Sequence, residues 1–189
     1  MDFAQFLQFI FTGLTVGSIY ALLAIGFVTI YNTTGILNFA QGEFAMIGAM
    51  SCISLISFGL PMALAIPAAI LFTSFIGLLI ERTVIKQAKN STPVTLVVIT
   101  IGLSILLKGI GLIVWGTYPK TLAPIIRMSP IEVFGAVLNA QSLFIFGVLF
   151  VLLVFLYIFF DKTYLGTALR ASETNARAAN LMGINTHTM

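Results

Sequence analysis

Long apolar runs alternate with short polar segments along this chain. Between residues 3 and 80 the sequence carries a single formal charge, Glu43. Because a helix needs about 20 apolar residues to cross a bilayer, the runs predict five spanning helices. They cover residues 6–30, 44–60, 61–80, 93–115 and 142–160. The second run is short unless the polar segment before it also lies at membrane depth, and Pro67 is expected to kink or delay the third helix.

Composition agrees with this pattern. The chain is 59% hydrophobic and 8% charged, whereas soluble domains carry about 25% charged residues. A soluble protein of this size would lack the polar surface that keeps it dissolved. The sequence therefore predicts an all-α polytopic membrane protein with one transmembrane domain over residues 1–189. No face combines basic and aromatic residues, so a nucleic-acid partner is not expected.

The positive charges indicate how the chain is oriented in the membrane. They concentrate in the 81–90 loop and in the tail at 161–189, whereas the 116–140 loop, which is longer than the 81–90 loop, has only two. The basic residues of the first two segments are Arg82, Lys86, Lys89, Lys162, Arg170 and Arg177. The positive-inside rule predicts that these two segments are cytoplasmic and that the 116–140 loop lies outside. Counting helices backwards puts the N-terminus outside as well.

A polar cluster at residues 31–43 separates the first two apolar runs. Gly35 and Gly42 are expected to let the backbone leave helical geometry, and a carboxylate so near apolar runs is costly to bury without a purpose. Transporters often break helices at the membrane midplane and direct the freed ends at a substrate. Candidates for a substrate pathway are Asn38, Gln41, Gly42 and Glu43. The alternative is a cytoplasmic turn in which Glu43 is a solvated acid at the start of a helix.

Lys108 lies in the fourth predicted helix, two thirds of the way from Pro93 to its end. One interpretation is a buried counter-charge, with Glu43 as its partner. The other is a lysine whose long side chain reaches the outer membrane interface about two turns away. The residues alone leave both open.

Two glycines in the first predicted helix indicate helix packing. Gly13 and Gly17 have the spacing that places small residues on one face, where a second helix can approach closely. The spacing is common in apolar segments, so it does not identify the partner helix.

The tail is predicted to form an amphipathic helix over residues 167–183. Arg170, Glu173 and Arg177 share one face, and Glu173 precedes Arg177 by four residues, the favourable order for an ion pair. Gly183 is a natural helix stop. On the other side, a face of small residues suits docking in a groove of a partner protein; these are Ala168, Ser172, Ala176 and Ala179. A solvated helix bound to anionic lipid is the alternative.

Enzymatic chemistry finds little support in the sequence. It contains no glycine-rich phosphate loop of the Walker type, so ATP binding by that device is not expected. His187 is the only histidine and Cys52 the only cysteine, and neither belongs to a metal-ligand or catalytic set. No metal or cofactor is predicted.

Two pairs of segments resemble the inner-membrane permeases of the branched-chain amino acid ABC importers. The first pair is GLTVGSIYALLAIG at 13–26 and NFAQGE at 38–43, and the second is LGTALRA at 165–171 and RAANLMGIN at 177–185. The resemblance covers essentially the whole chain. It implies a permease that moves substrate by alternating access and has no enzymatic activity of its own.

The same resemblance implies a set of partners. These are a second homologous permease, two cytoplasmic ABC ATPase subunits, and an extracytoplasmic protein that delivers leucine, isoleucine, valine or a related small amino acid. ABC importers carry a coupling loop with the pattern Glu-Ala-Ala-x-x-x-Gly. Arg177, Ala178, Ala179 and Gly183 occupy that register here, with arginine in place of the acid, so the pairing with the ATPase is expected to differ.

The resemblance also bears on length and substrate. Family members continue with several helices after the coupling loop, so a truncated gene, a fragment or a partial chain is expected. Permeases for urea and short amides look much alike, which leaves such a substrate as an alternative. An ion-coupled carrier with Glu43 as its proton site and a structural membrane subunit are the alternatives from other classes.

Overall fold

A computed structural model describes residues 2–88, 91–122, 124 and 129–174, with the backbone alone for 172–174. Most of this part of the chain is helical. The helices are α1 (Phe3–Thr34), α2 (Gln41–Ser57), α3 (Met62–Ile80), α4 (Pro93–Trp115), α5 (Ala140–Lys162) and α6 (Tyr164–Thr174). Two short strands, β1 (Ile131–Val133) and β2 (Ala136–Leu138), follow α4 and precede α5 along the chain, and they pair as an antiparallel hairpin.

The chain divides into two compact units. Unit 1 comprises residues 1–35 and 124–189, and unit 2 comprises residues 36–123. In unit 1, α1 packs along α5 and also contacts β2 and α6. Gln8, near the start of α1, bonds to Val137 of β2, and β2 immediately precedes α5. α1 and α5 therefore run in the same direction, with the hairpin at their starting ends.

Unit 2 is built around α2, which packs against α3 and α4. Its main apolar cluster joins residues of all three helices: Ala40, Ile47, Ile80, Leu103 and Leu107 are buried, with Phe44, Met46, Ile76, Val84 and Trp115 packed around them. A second cluster between α2 and α3 contains Cys52, Ala65 and Ala69. The approach of α2 to α4 is close at Gly111, where a Cβ atom would lie 2.8 Å from the end of the Met46 side chain.

Four helices within the described residues are long and apolar enough to cross a membrane. They cover Phe3–Thr34, Met62–Ile85, Pro93–Trp115 and Ala140–Lys162. The prediction of a polytopic helical membrane protein is therefore confirmed. The count of five spans is not, because α2 has 17 residues, fewer than the roughly 20 needed for a full crossing.

Pro67 lies inside the third helix and does not delay it, since the helix begins at Met62 with Pro61 as its cap residue. The kink expected at Pro67 stays a prediction. Two other local expectations were wrong. The 81–90 segment is not all loop, since Glu81–Ile85 continues α3 as a π-helix. The amphipathic tail helix begins at Tyr164, three residues earlier than predicted, because Thr163 caps it.

Candidate functional site

The chain leaves helical geometry within the predicted polar cluster. α1 ends at Thr34, and Gly35 follows in the left-handed conformation at φ 66°, with its N–H donating to the Tyr31 carbonyl at 2.8 Å. Glycine adopts this backbone without the steric cost that a Cβ atom would bring. The helix break that the sequence predicts at Gly35 is therefore confirmed.

Gly42 was assigned the same role, and that expectation was wrong. It lies inside the first turn of α2, because the Ala40 carbonyl already accepts hydrogen bonds from the N–H groups of Glu43 and Phe44. The turn before α2 is made instead by Asn38, whose Oδ1 accepts from the Ala40 N–H at 3.1 Å. A side chain that bonds backbone two residues ahead is typical of an Asx turn.

Glu43 lies at the start of α2 but is not the solvated acid of the turn alternative. Its side chain is half-buried, and its Oε1 accepts a hydrogen bond from the Ser104 hydroxyl of α4 at 3.1 Å. The carboxylate thus has a neutral donor from a helix 61 residues away in sequence. Hydrogen bonds to a charged group are stronger than neutral ones, and they offset part of the cost of removing the charge from water.

A second bond fastens the connection before α2 to the same helix. Thr100 is fully buried, and its hydroxyl lies 3.1 Å from the Leu37 carbonyl and 2.9 Å from the carbonyl of Val97. Non-helical backbone in an apolar setting must have its polar groups satisfied by neighbours. Thr100, which precedes Ser104 by one turn of α4, satisfies the Leu37 carbonyl.

The register of α2 against α4 follows from a third bond. Trp115 donates its indole N–H to the Ser54 hydroxyl at 2.8 Å. Ser54 follows Glu43 by eleven residues, and Trp115 follows Ser104 by eleven residues. The two helices therefore run side by side in the same direction, and α2 begins level with the middle of α4. Ser104 is the central residue of α4, about 16 Å from either end at 1.5 Å per residue.

A groove of about 550 Å³ lies at the Ser54 end of unit 2. Ser51, Ser54 and Trp115 line it together with the aliphatic and aromatic side chains of Phe72 and Val114, and Lys120 also borders it. Ser51 is buried, and among the described residues its hydroxyl has no hydrogen-bond partner. The groove therefore combines polar groups with apolar walls.

Lys108 is not the counter-charge of Glu43. Its side chain is exposed, although it lies one turn beyond Ser104 on α4. Among the described residues the one ion pair joins Arg170 to Asp161. An exposed lysine agrees with the interfacial alternative. The partner of Glu43 is the Ser104 hydroxyl, and not the Lys108 ammonium group that the first interpretation expected.

The predicted coupling helix is described in its first part only. Arg170 lies on α6 and pairs with Asp161 of α5, and Glu173 belongs to the same helix. Its remaining predicted residues, Arg177, Ala178, Ala179 and Gly183, lie outside the described residues.

A tight corner joins α5 to α6. Thr163 donates its hydroxyl to the Phe159 carbonyl, and the same oxygen accepts from the Gly166 N–H at 3.1 Å, so one side chain caps both helices. Gly166 is pressed against the end of α5. A Cβ atom there would lie 2.2 Å from the Phe159 carbonyl oxygen and 2.6 Å from the Phe160 Cα. Glycine is thus required at this corner by backbone contact.

Gly13 and Gly17 lie on open surface. A Cβ atom at either position would meet nothing within 4 Å. Close packing at these glycines therefore stays a prediction, and it requires a helix from outside the described residues.

Sequence reasoning missed Ser104, Thr100 and Gly166. A serine and a threonine four residues apart in an apolar helix give a weak signal, since helical hydroxyls usually bond to their own helix, as Thr73 does with the Ala69 carbonyl. Gly166 was part of the motif that carried the family resemblance, but no pattern shows from sequence alone that a neighbouring helix end abuts it.

Comparison with known proteins identifies the family of this chain. The family model for the branched-chain amino acid transport system permease component matches residues 9–189. The high-affinity branched-chain amino acid transport system permease protein BraD of Pseudomonas aeruginosa is 31% identical, over 97% of this chain and 64% of that protein. LivH of Escherichia coli (strain K12) is 32% identical over 98% and 64%, respectively. A probable LivH of Methanocaldococcus jannaschii is 34% identical over 89% and 55%. No solved structure matches the chain.

The match extends over nearly all of this chain but not over the whole of its relatives. The chain spans 64% of the length of the BraD and LivH proteins. With a family model covering residues 9–189 and four apolar helices of spanning length, the chain belongs to the branched-chain amino acid transport permease family.

Proposed function

We propose that this chain is a transmembrane permease subunit of an ATP-driven importer for branched-chain or related small amino acids. Family membership supports the transport class, and the names of the relatives support the substrate class. The observation that carries the mechanism is the hydrogen bond between Ser104 and Glu43. It supports a polar site inside the membrane instead of at its surface.

The depth of that site follows from the geometry of α4. A spanning helix of 23 residues is about 35 Å long, close to the roughly 30 Å of the hydrocarbon core. Its central residue, Ser104, then lies near the midplane, and Glu43 lies beside it. Asn38 and Gln41 lie five and two residues before Glu43 along the chain. Together these groups form the proposed substrate pathway, at the depth where transporters bind substrates next to broken helices.

The groove at Ser54 supports the substrate class. A branched-chain amino acid has a charged backbone and a short aliphatic side chain, so it needs polar groups and apolar walls together. Ser51 and Lys120 supply the polar groups, and Phe72 and Val114 supply the apolar walls. In the orientation of the positive-inside rule, the Trp115 end of α4 faces outward. The groove would then receive substrate from an extracytoplasmic binding protein.

The opposite end of the protein would meet the ATPases. With the 81–90 segment and the 161–189 tail in the cytoplasm, α6 lies on that side, at the far end of α5 from the hairpin. Two ATPase subunits would hydrolyse ATP and move the coupling segment, and a second homologous permease would complete the pathway. ATP binding drives transport only if it favours one conformation of the permease pair over the other.

Uptake of labelled leucine into proteoliposomes tests the proposal. The full chain is reconstituted with its ATPase, second permease and binding protein, and Glu43→Gln is compared with the parent. We expect uptake to fall by about tenfold or more, because the variant removes the formal charge of the 38–43 segment. A tenfold loss corresponds to about 1.4 kcal/mol of transition-state stabilisation.

Glu81→Gln is the matched control, since Glu81 is an exposed acid at the end of α3. It should leave uptake unchanged. Uptake that needs no ATP and collapses with an uncoupler would instead establish an ion-coupled carrier. Uptake of urea or acetamide in place of leucine would keep the mechanism and correct the substrate. Full leucine uptake by Glu43→Gln would contradict the proposed pathway.

A further inference from the structure

The β-hairpin of unit 1 has an unusual residue at its turn. β1 and β2 are joined by two residues, Phe134 at φ 51° and Gly135 at φ 81°. Positive φ at both positions is typical of a type I′ turn, which strongly favours Asn-Gly. A bulky aromatic side chain in this region of backbone space is a rare outlier, and it disfavours the turn relative to Asn or Gly.

The hairpin is nonetheless held firmly. The side-chain amide of Gln8 makes two hydrogen bonds with the backbone of Val137: Nε2 donates to the carbonyl at 3.2 Å, and Oε1 accepts from the N–H at 2.7 Å. At the tip, a Cβ atom on Gly135 would lie 3.2 Å from the Cβ of Ala4. The hairpin is therefore fastened to the first two turns of α1.

This attachment determines the height of the hairpin relative to the membrane. α1 has 32 residues and is about 48 Å long, slightly more than the 40–45 Å of a bilayer with its headgroups. Its first two turns then lie at the level of the headgroups. The Phe134 side chain is 80% exposed there, and Phe3 and Phe6 of α1 are exposed as well.

We propose that the hairpin is an interfacial anchor, with the Phe134 ring inserted at the boundary between lipid headgroups and acyl chains. The hairpin contains no Lys or Arg and carries Glu132, so attraction to anionic lipid does not explain it. Its insertion depends on apolar burial, and zwitterionic phosphatidylcholine is a sufficient partner. The free energy gained from burying the ring in lipid offsets the unfavourable turn. This proposal is independent of the transported substrate.

Spin labels at two hairpin positions test the proposal. The full chain, with Cys52→Ala, carries a nitroxide at Phe134→Cys or at Glu132→Cys, in phosphatidylcholine nanodiscs. Glu132 is the matched control, because it lies on the same hairpin in the middle of β1. We expect the label at 134 to collide several-fold more often with oxygen than with an aqueous nickel chelate, and the label at 132 to show the reverse.

Two results would overturn the anchor. One is equal access of the nickel chelate to both labels, which would mean that the tip lies in water. The other is exclusion of both reagents from position 134, which would mean that protein covers it. Phe134→Trp provides a second measurement that keeps an aromatic ring at the tip. Its fluorescence, after subtraction of the Trp115 signal of the parent, should be quenched by brominated phosphatidylcholine, and an unquenched signal would also contradict the proposal.

Discussion

Two carboxylates of this chain are bound in different ways. Glu43 in unit 2 is half-buried and accepts a hydrogen bond from a neutral serine on a helix 61 residues away. Asp161 in unit 1 is partly exposed and pairs with Arg170, nine residues along the chain. The first bond joins two helices of unit 2, whereas the second spans a corner that backbone packing at Gly166 already closes.

The difference shows where side-chain contacts determine the structure. An exposed ion pair contributes little, because solvent screens it and ordering two side chains costs entropy. A half-buried carboxylate depends more on its donor, since water has less access to replace a lost hydrogen bond. We therefore expect substitutions at the corner to matter through its backbone contact, and substitutions at Glu43 to matter through its partner.

The largest effect is expected from Gly166→Ala. The added methyl group would overlap the Phe159 carbonyl and the Phe160 backbone, so α6 must move away from α5. A loss of about 3 kcal/mol in the free energy of unfolding is expected for such overpacking. Thermal unfolding in detergent measures it. Gly147→Ala in α5 is the control, because a Cβ atom there meets nothing within 4 Å. An unchanged melting temperature for Gly166→Ala would contradict the tight corner.

Ser104→Ala should have the next largest effect. It leaves the Glu43 carboxylate without its hydroxyl donor, at an expected cost of about 2 kcal/mol. Unfolding in detergent and leucine uptake would both report it. Ser104→Thr keeps a hydroxyl and should restore most of the loss, and Ser74→Ala on the exposed side of α3 should be silent. If Ser104→Ala and Ser74→Ala behave alike, the bond to Glu43 does not contribute.

Thr100→Val should have a smaller effect. The two side chains have nearly the same shape, so the change removes the hydrogen bond to the Leu37 carbonyl without leaving a cavity. We expect a loss of about 1 kcal/mol and faster amide exchange in the 36–40 connection. Thr83→Val is the matched control, since Thr83 is exposed and its hydroxyl bonds to the Leu79 carbonyl four residues earlier in the same helical segment. Equal amide exchange in both variants would show that Thr100 does not hold the connection.

The smallest effect is expected from Arg170→Ala. The pair with Asp161 is exposed and open to salt screening, so its removal should lower stability by less than about 1 kcal/mol. Unfolding at low and high salt measures the contribution. A loss as large as that of Gly166→Ala would mean that the ion pair, and not the backbone contact, closes the corner.

Local signals predicted much of the fold. α4 begins and ends as predicted because the residues that cap it lie next to its ends in the sequence. Thr92 accepts a hydrogen bond from the Thr95 N–H, Pro93 is the first helical residue, and Gly116 ends the helix. Gly35 ends α1 for a similar reason, although the first apolar run predicted an end at residue 30, four residues before Thr34. The hairpin at 131–138 was not predicted, since its turn carries Phe134 where Asn would have signalled it.

The candidate site could be predicted only in part. Glu43 was identified because burying a lone charge among apolar runs is costly, and the apolar runs around it can be read directly from the sequence. Its partner was not, because a hydroxyl and an ammonium group can both offset a carboxylate. The choice between Ser104 and Lys108 depends on which face of α4 meets α2.

The sequence by itself determined that this chain is a helical membrane protein of the branched-chain amino acid permease family, since apolar length, charge distribution and local motifs act over short distances. The tertiary structure alone decided that α2 begins beside the middle of α4, that Ser104 binds Glu43, and that Gly166 closes the corner at α6. These features depend on contacts between residues that are distant in sequence or belong to different helices. Helix register and close backbone approach arise only when the helices pack.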